Sequence, residues 1–176
     1  MQRQHAAKEL GELGDPKAIE PLVKRMLHDR DKTVQCSAAV ALGKIGKPEA
    51  IPGLAEAVRT GGYSELRSLA AISLGLIRHP DAIPVLIEAS YSPDIHVRSQ
   101  AVWSLAQFRD PKVIAALIDR LGADYDDIEN VAWDAIRKHM LIHPDAILKL
   151  PTEDRNRLGR ILQDKHNEEL QDELCK

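Results

Sequence analysis

Prolines at positions 16, 48, 80, 111 and 144 stand 32, 32, 31 and 33 residues apart, and this period limits the fold more than any other feature. The first four prolines close copies of one motif. It reads Leu10-Gly11-Glu12-Leu13-Gly14-Asp15-Pro16, then Leu42-Gly43-Lys44-Ile45-Gly46-Lys47-Pro48, then Leu74-Gly75-Leu76-Ile77-Arg78-His79-Pro80, then Leu105-Ala106-Gln107-Phe108-Arg109-Asp110-Pro111. A degraded fifth copy runs from Ile136 to Pro144. Other columns keep the same period: Leu22, Leu54, Leu86, Leu117 and Leu150; Val34, Leu66, Val97 and Ile128; Ala6, Ala38, Ala70, Ala101 and Ala132. Periods of this length mark architectures in which each repeat buries its apolar face only by stacking on its neighbours.

Each unit reads as two helices. The first is expected to start at the proline, which suits a first helical position because the N–H it lacks would be unpaired there. The second follows a polar turn such as Ser92-Pro93-Asp94 and carries Val97, Ala101, Leu105 and Phe108 on one helical stripe. The Gly-X-X-Gly stretch is expected to end it. Composition agrees: aromatic residues are 3% of the chain, and the apolar content is dominated by 21 Ala, 21 Leu and 15 Ile, which favours close-packed helices over sheet. The expected fold is all-α: an α-solenoid, an ARM/HEAT-like superhelix of about four helix pairs with an N-terminal half-repeat and a C-terminal capping helix.

At this point the sequence resembles the HEAT-repeat family, in the short form described from phycobilisome lyases. The likeness is carried by Ala82-Ile83-Pro84-Val85-Leu86, followed after a turn by Val97-Arg98-Ser99-Gln100-Ala101-Val102-Trp103-Ser104-Leu105-Ala106. It covers about residues 1–150 and implies fold more than function. By the same likeness, a bilin-lyase-like or phycobilisome-associated role is one alternative. The deoxyhypusine hydroxylases, which resemble this fold and hold iron with His-Glu dyads, are another comparison; the chain has no His-Glu dipeptide.

The expected division is a repeat solenoid over 1–150, with a capping helix and charged tail over 151–176. The chain opens on a second-type helix in which Gln2, Lys8 and Glu9 replace the small or apolar residues of later copies, as the outer face of a terminal cap would. The alternative is a fragment of a larger assembly subunit. Thr152 is expected to cap the last helix, which carries Leu158, Ile161 and Leu162. Trp133 replaces Ala7, Ala39, Ala71 and Val102 in its column, and is expected to pack on that helix.

Second helices line the concave surface of HEAT-like stacks, where the resemblance places partner binding. On the side opposite the buried stripe, the column Lys8, Val40, Ile72, Trp103, Asp134 holds three consecutive apolar residues, and Leu76 lies one turn after Ile72. An exposed apolar ridge marks an interaction site, and tryptophan is enriched at binding hot spots. Val40, Ile72, Leu76 and Trp103 are therefore the candidate partner-binding residues, with Cys36, Ser68, Ser99 and Asn130 as a polar shoulder. Arg67 and Arg98, with Arg3 in register, read as a ladder of bonds to turn carboxylates such as Asp94.

Other chemistry finds little support. The acidic run from Asp124 to Glu129 lacks the central glycine and final glutamate of an EF-hand, and reads as a solvated helix start. His139 and His143 have helical spacing, but a turn proline follows His143 and no third ligand is suggested. No HExxH, phosphate-loop, GxSxG or CxxC pattern occurs. Lys plus Arg total 24 against 27 Asp plus Glu, a balance unlike that of a phosphate-neutralising surface. The longest uncharged stretch is Thr33–Gly43, far short of the about 20 residues of a membrane span. Two distant cysteines and no apolar leader suit a reducing compartment. The expectation is a non-enzymatic, cytoplasmic scaffold that binds a protein or peptide on its concave face. It needs no cofactor or metal and binds neither nucleic acid nor membrane.

Overall fold

The structure, a computed structural model, describes residues 2–108, 110–121, 130–137 and 148–174, with side chains left out at Pro111 and after Gln163. The acidic run Asp124–Glu129 and the pair His139 and His143 lie outside the described residues. Among the described residues there are helices and turns and no strand. Two compact units are present, Met1–Arg109 and Asp110–Lys176.

In the first unit, α1 (Gln2–Leu13), α3 (Lys32–Ile45), α5 (Ser64–Ile77) and α7 (Ile95–Leu105) pack side by side, each on the next. The shorter α2 (Ile19–His28), α4 (Ile51–Thr60) and α6 (Ile83–Ala89) form a second layer, and pack against α3, α5 and α7 respectively. The repeat columns lie between the layers: Leu22, Leu54 and Leu86 from the short helices meet Val34, Ala38, Leu42, Leu66, Ala70, Leu74, Val97, Ala101 and Leu105 from the long ones, all buried. This is the repeated, neighbour-on-neighbour core of an α-solenoid.

Two local expectations need correction. The prolines at 16, 48 and 80 open a single 3-10 turn, and the α-helix proper starts three residues later, at Ile19, Ile51 and Ile83. The two glycines of Gly-X-X-Gly have separate jobs. The second takes the left-handed conformation after the helix (φ 67° at Gly14, 68° at Gly46), and Arg78 holds it in the third copy (φ 54°). The first lies within the helix. A Cβ on Gly11, Gly43 or Gly75 would come within 2.8 Å of Ala41, Ser73 or Ser104 on the next long helix. Its absence lets the long helices approach closely. Ser73 also donates across this seam to the carbonyl of Ala39 at 2.8 Å.

The second unit contains α8 (Pro111–Leu121), α9 (130–137) and α10 (Thr152–Leu174). α10 packs on α8. Leu158 is buried, and Arg157 donates to Asp119 at 2.9 Å. Trp133 on α9 is buried at 9% accessibility, as are Ala132 and Ile136. Thr152 does not act as the cap expected of it. It is the first residue of α10, and its hydroxyl accepts from the Arg155 guanidinium at 3.1 Å.

Candidate partner-binding face

The long helices of the first unit carry the predicted ridge. Val40 on α3 and Ile72 on α5 are half-buried. Leu76 and Trp103 project further and are 47% and 45% exposed. Trp103 is thus not enclosed by the stack, which is the condition the ridge required. Of the predicted shoulder residues in the first unit, Cys36 and Ser99 are half-buried and Ser68 is buried; Asn130, in the second unit, is exposed.

Sequence reasoning missed a groove of about 500 Å³ on the same face, bounded by α1, α3 and α5. Val40 lines it with Leu69 and Cys36, while Lys8, Lys32 and Lys44 stand around it, facing the single carboxylate of Glu65. Of the four ridge residues, only Val40 belongs to this groove. The signal available was Lys8 in the column of Val40, with a lysine at each end of α3.

Tyr63, in the turn before α5, organises one end of the groove. Its hydroxyl donates to the Lys32 carbonyl at 3.0 Å and lies 3.4 Å from the Cys36 sulfur. With its one proton committed to Lys32, the phenol accepts from the Cys36 thiol. The ring in turn carries the Lys32 ammonium, 4.8 Å from its centroid. Burial pushes the Cys36 thiol above its ordinary pKa and outweighs the Tyr63 hydrogen bond, so the sulfur is protonated at neutral pH and a poor nucleophile. Burial is likewise the main reason the Tyr63 phenol is shifted upward. At the other end, Lys44 pairs loosely with Glu12 at 3.7 Å. Among the described residues, Lys8 makes no ion pair.

The arginine column makes two kinds of bond. Arg3 reaches forward to the carboxylate of Asp29 through Nε (3.1 Å) and a terminal nitrogen (3.2 Å), and Arg67 reaches forward to Asp94 at 2.8 Å. Gln35 and Arg98 turn back to carbonyls of their own turns, at Asp29 (2.9 Å) and at Ser92 and Pro93 (2.9 Å each). Arg98 bonds the backbone of its own turn; the turn one repeat on, with the run Asp124–Glu129, lies outside the described residues. Gln35 departs from the arginine pattern for a local reason. The turn after Gln35 is Thr60-Gly61-Gly62-Tyr63, which offers no carboxylate, and Tyr63 makes the cross-repeat link instead. These side chains hold turns and helices together and leave the ridge and groove uncommitted. Among the described residues no three of His, Cys, Asp and Glu gather as a metal site would need, and no helix is long and apolar enough to cross a membrane.

The sequence profile of the HEAT repeats matches residues 2–75 and again residues 62–137. The chain is a HEAT-repeat protein. No curated protein matches this HEAT-repeat chain in sequence. Among solved structures it is similar to human deoxyhypusine hydroxylase in complex with glycerol, with a TM-score of 0.64 and 22% identity over 70% of this chain and 43% of that one. It is also similar to the CpcE–CpcF complex of phycocyanin lyase from Nostoc sp. PCC7120, with a TM-score of 0.63 and 21% identity over 84% of this chain and 63% of that one. A third likeness is to Kap121p bound to Ste12p, with a TM-score of 0.57 and 15% identity over 84% of this chain and 16% of that one. The HEAT-repeat chain spans less than two-thirds of the length of each, and at these identities the likeness is one of fold.

Proposed function

We propose that this HEAT-repeat protein is a non-enzymatic interaction module that binds a protein or peptide on the concave face lined by α3, α5 and α7. The observation that carries the reading is the exposure of Trp103 and Leu76 on the face that also bears the half-buried Val40 and Ile72. Burying a large apolar side chain on a partner contributes about 1.5–3 kcal/mol, so a few such residues suffice for a specific contact. Two further points support it. The arginine ladder and the protonated Cys36 thiol are accounted for by structure, so the polar groups near the face need no catalytic role. Kap121p, of the same fold class, has been crystallised bound to Ste12p. The free Cys36 thiol fits a reducing compartment, and the cytoplasm is the location we propose.

The test is selection of peptides from a displayed library on the immobilised protein, followed by affinity measurements on the wild type and Trp103→Asp. The expected result is a loss of about tenfold or more with an unchanged melting temperature. Equal affinities would remove the ridge from the binding site.

A second reading is favoured by the likeness to the CpcE–CpcF complex, in which the chain acts on or accompanies a bilin-bearing protein. A bilin mixed with the pure protein would then show a shifted visible absorption band. An unshifted spectrum counts against it.

A further inference from the structure

We infer that the groove bounded by α1, α3 and α5 receives an acidic peptide segment with an apolar anchor. The proposal rests on the reading of this face as a partner-binding surface, and adds the chemistry of the partner. The whole chain carries a net charge of −3, yet the groove gathers Lys8, Lys32 and Lys44 against the carboxylate of Glu65 in its lining and that of Glu12 beside Lys44. This local reversal of sign is what charge complementarity to an acidic partner requires. One of the three ammonium groups is held in place, Lys32 by the Tyr63 ring, itself fixed by the bond to the Lys32 carbonyl, while Lys44 keeps a loose contact with Glu12. Held cations lose less side-chain entropy on meeting a carboxylate than free ones do. The apolar part is equally specific, with Val40 and Leu69 half-buried on the groove wall and open to an inserted aliphatic side chain.

Geometry sets the spacing of the ligand. Lys32 and Lys44 lie at opposite ends of α3, twelve residues apart in sequence, which is about 18 Å along a helix. An extended peptide rises about 3.3 Å per residue, so carboxylates five or six residues apart would reach both lysines. The anchor would then fall over Val40, about two-thirds of the way from Lys32 to Lys44, with Lys8 alongside. The partner is therefore a segment with a leucine-like residue between two acidic flanks.

The test uses two labelled peptides in fluorescence anisotropy: one with a leucine between flanking glutamates, and a twin with lysines in place of the glutamates. The wild type is expected to bind the acidic peptide and reject the twin, with affinity falling as salt is raised. The double variant Lys8→Glu/Lys32→Glu changes two exposed residues. It is expected to lose about tenfold or more of the affinity for the acidic peptide and to turn its preference to the twin. Lys8→Glu alone, which leaves the Lys32–Tyr63 contact in place, is expected to give an intermediate loss. Equal binding of both peptides, no binding of either, or an acidic affinity unmoved by the lysine changes would each overturn the proposal. The broader reading would still stand if library-selected peptides depend on Trp103 but are not acidic.

Discussion

Gly43 on α3 lies against Ser73 on α5 so closely that a methyl group at Gly43 would stand 2.8 Å from both the Cβ and the Oγ of Ser73. The close approach belongs to the repeat, since Gly11 meets Ala41 and Gly75 meets Ser104 in the same way. Overpacking a seam of this kind costs about 1–3 kcal/mol. Gly43→Ala is therefore expected to lower stability by that amount in denaturant melts. Gly62→Ala, at a site with no atom within 4 Å and no positive φ, is expected to be near neutral. Equal effects at the two positions would contradict the assigned role of Gly43.

Arg78 ends α5 in the left-handed conformation that Gly14 and Gly46 adopt in earlier repeats. A side chain there costs about 1–2 kcal/mol, while glycine loses about 0.5–1 kcal/mol more chain entropy on folding. Arg78→Gly is expected to raise stability by about 0.5–1 kcal/mol, at the expense only of a long, exposed 3.5 Å contact with Gln107. Thermal and chemical denaturation would read the gain.

Asp29 gathers four hydrogen bonds at the turn before α3: from the Asp31 amide at 3.0 Å, twice from Arg3, and from Arg25 at 3.2 Å. The Asp31 amide is the foremost cause holding its carboxyl below the usual carboxylate range, with Arg3 and Arg25 adding to it against the effect of burial. A group whose pKa is lower folded than unfolded stabilises fully above the unfolded value, about 3.9. That contribution is lost as pH falls through the lower folded value. Stability is thus expected to decline below about pH 4. Asp29→Asn is expected to be less stable than the wild type at neutral pH and to decline less steeply on acidification. Parallel curves for the two proteins would count against the assignment.

The arginine ladder was legible in the sequence because both partners recur: an arginine follows the Val column at Arg67, and a turn carboxylate waits at Asp94 one repeat later. The separate duties of the two glycines were not legible. A helix-ending φ and a helix–helix approach both select glycine, and a one-dimensional pattern does not tell them apart. The ridge could be read, since Val40, Ile72 and Trp103 share a column and Leu76 follows by one turn. The groove could not, because it needs Lys8, Lys32 and Leu69 from three helices to meet, and it depends on where the Tyr63 ring settles. Column reasoning sees one residue per repeat; a groove takes different positions from successive repeats.

The central claim, that the α3–α5–α7 face binds a partner, is tested most directly by hydroxyl-radical footprinting of side chains with and without a library-selected peptide. Trp103 and Leu76, both nearly half exposed, are expected to oxidise several-fold more slowly in the complex, while the exposed Leu13 at the end of α1 and Tyr91 beyond α6 react at the same rate. Oxidation of Trp103 at equal rates in the free and bound protein would contradict the claim.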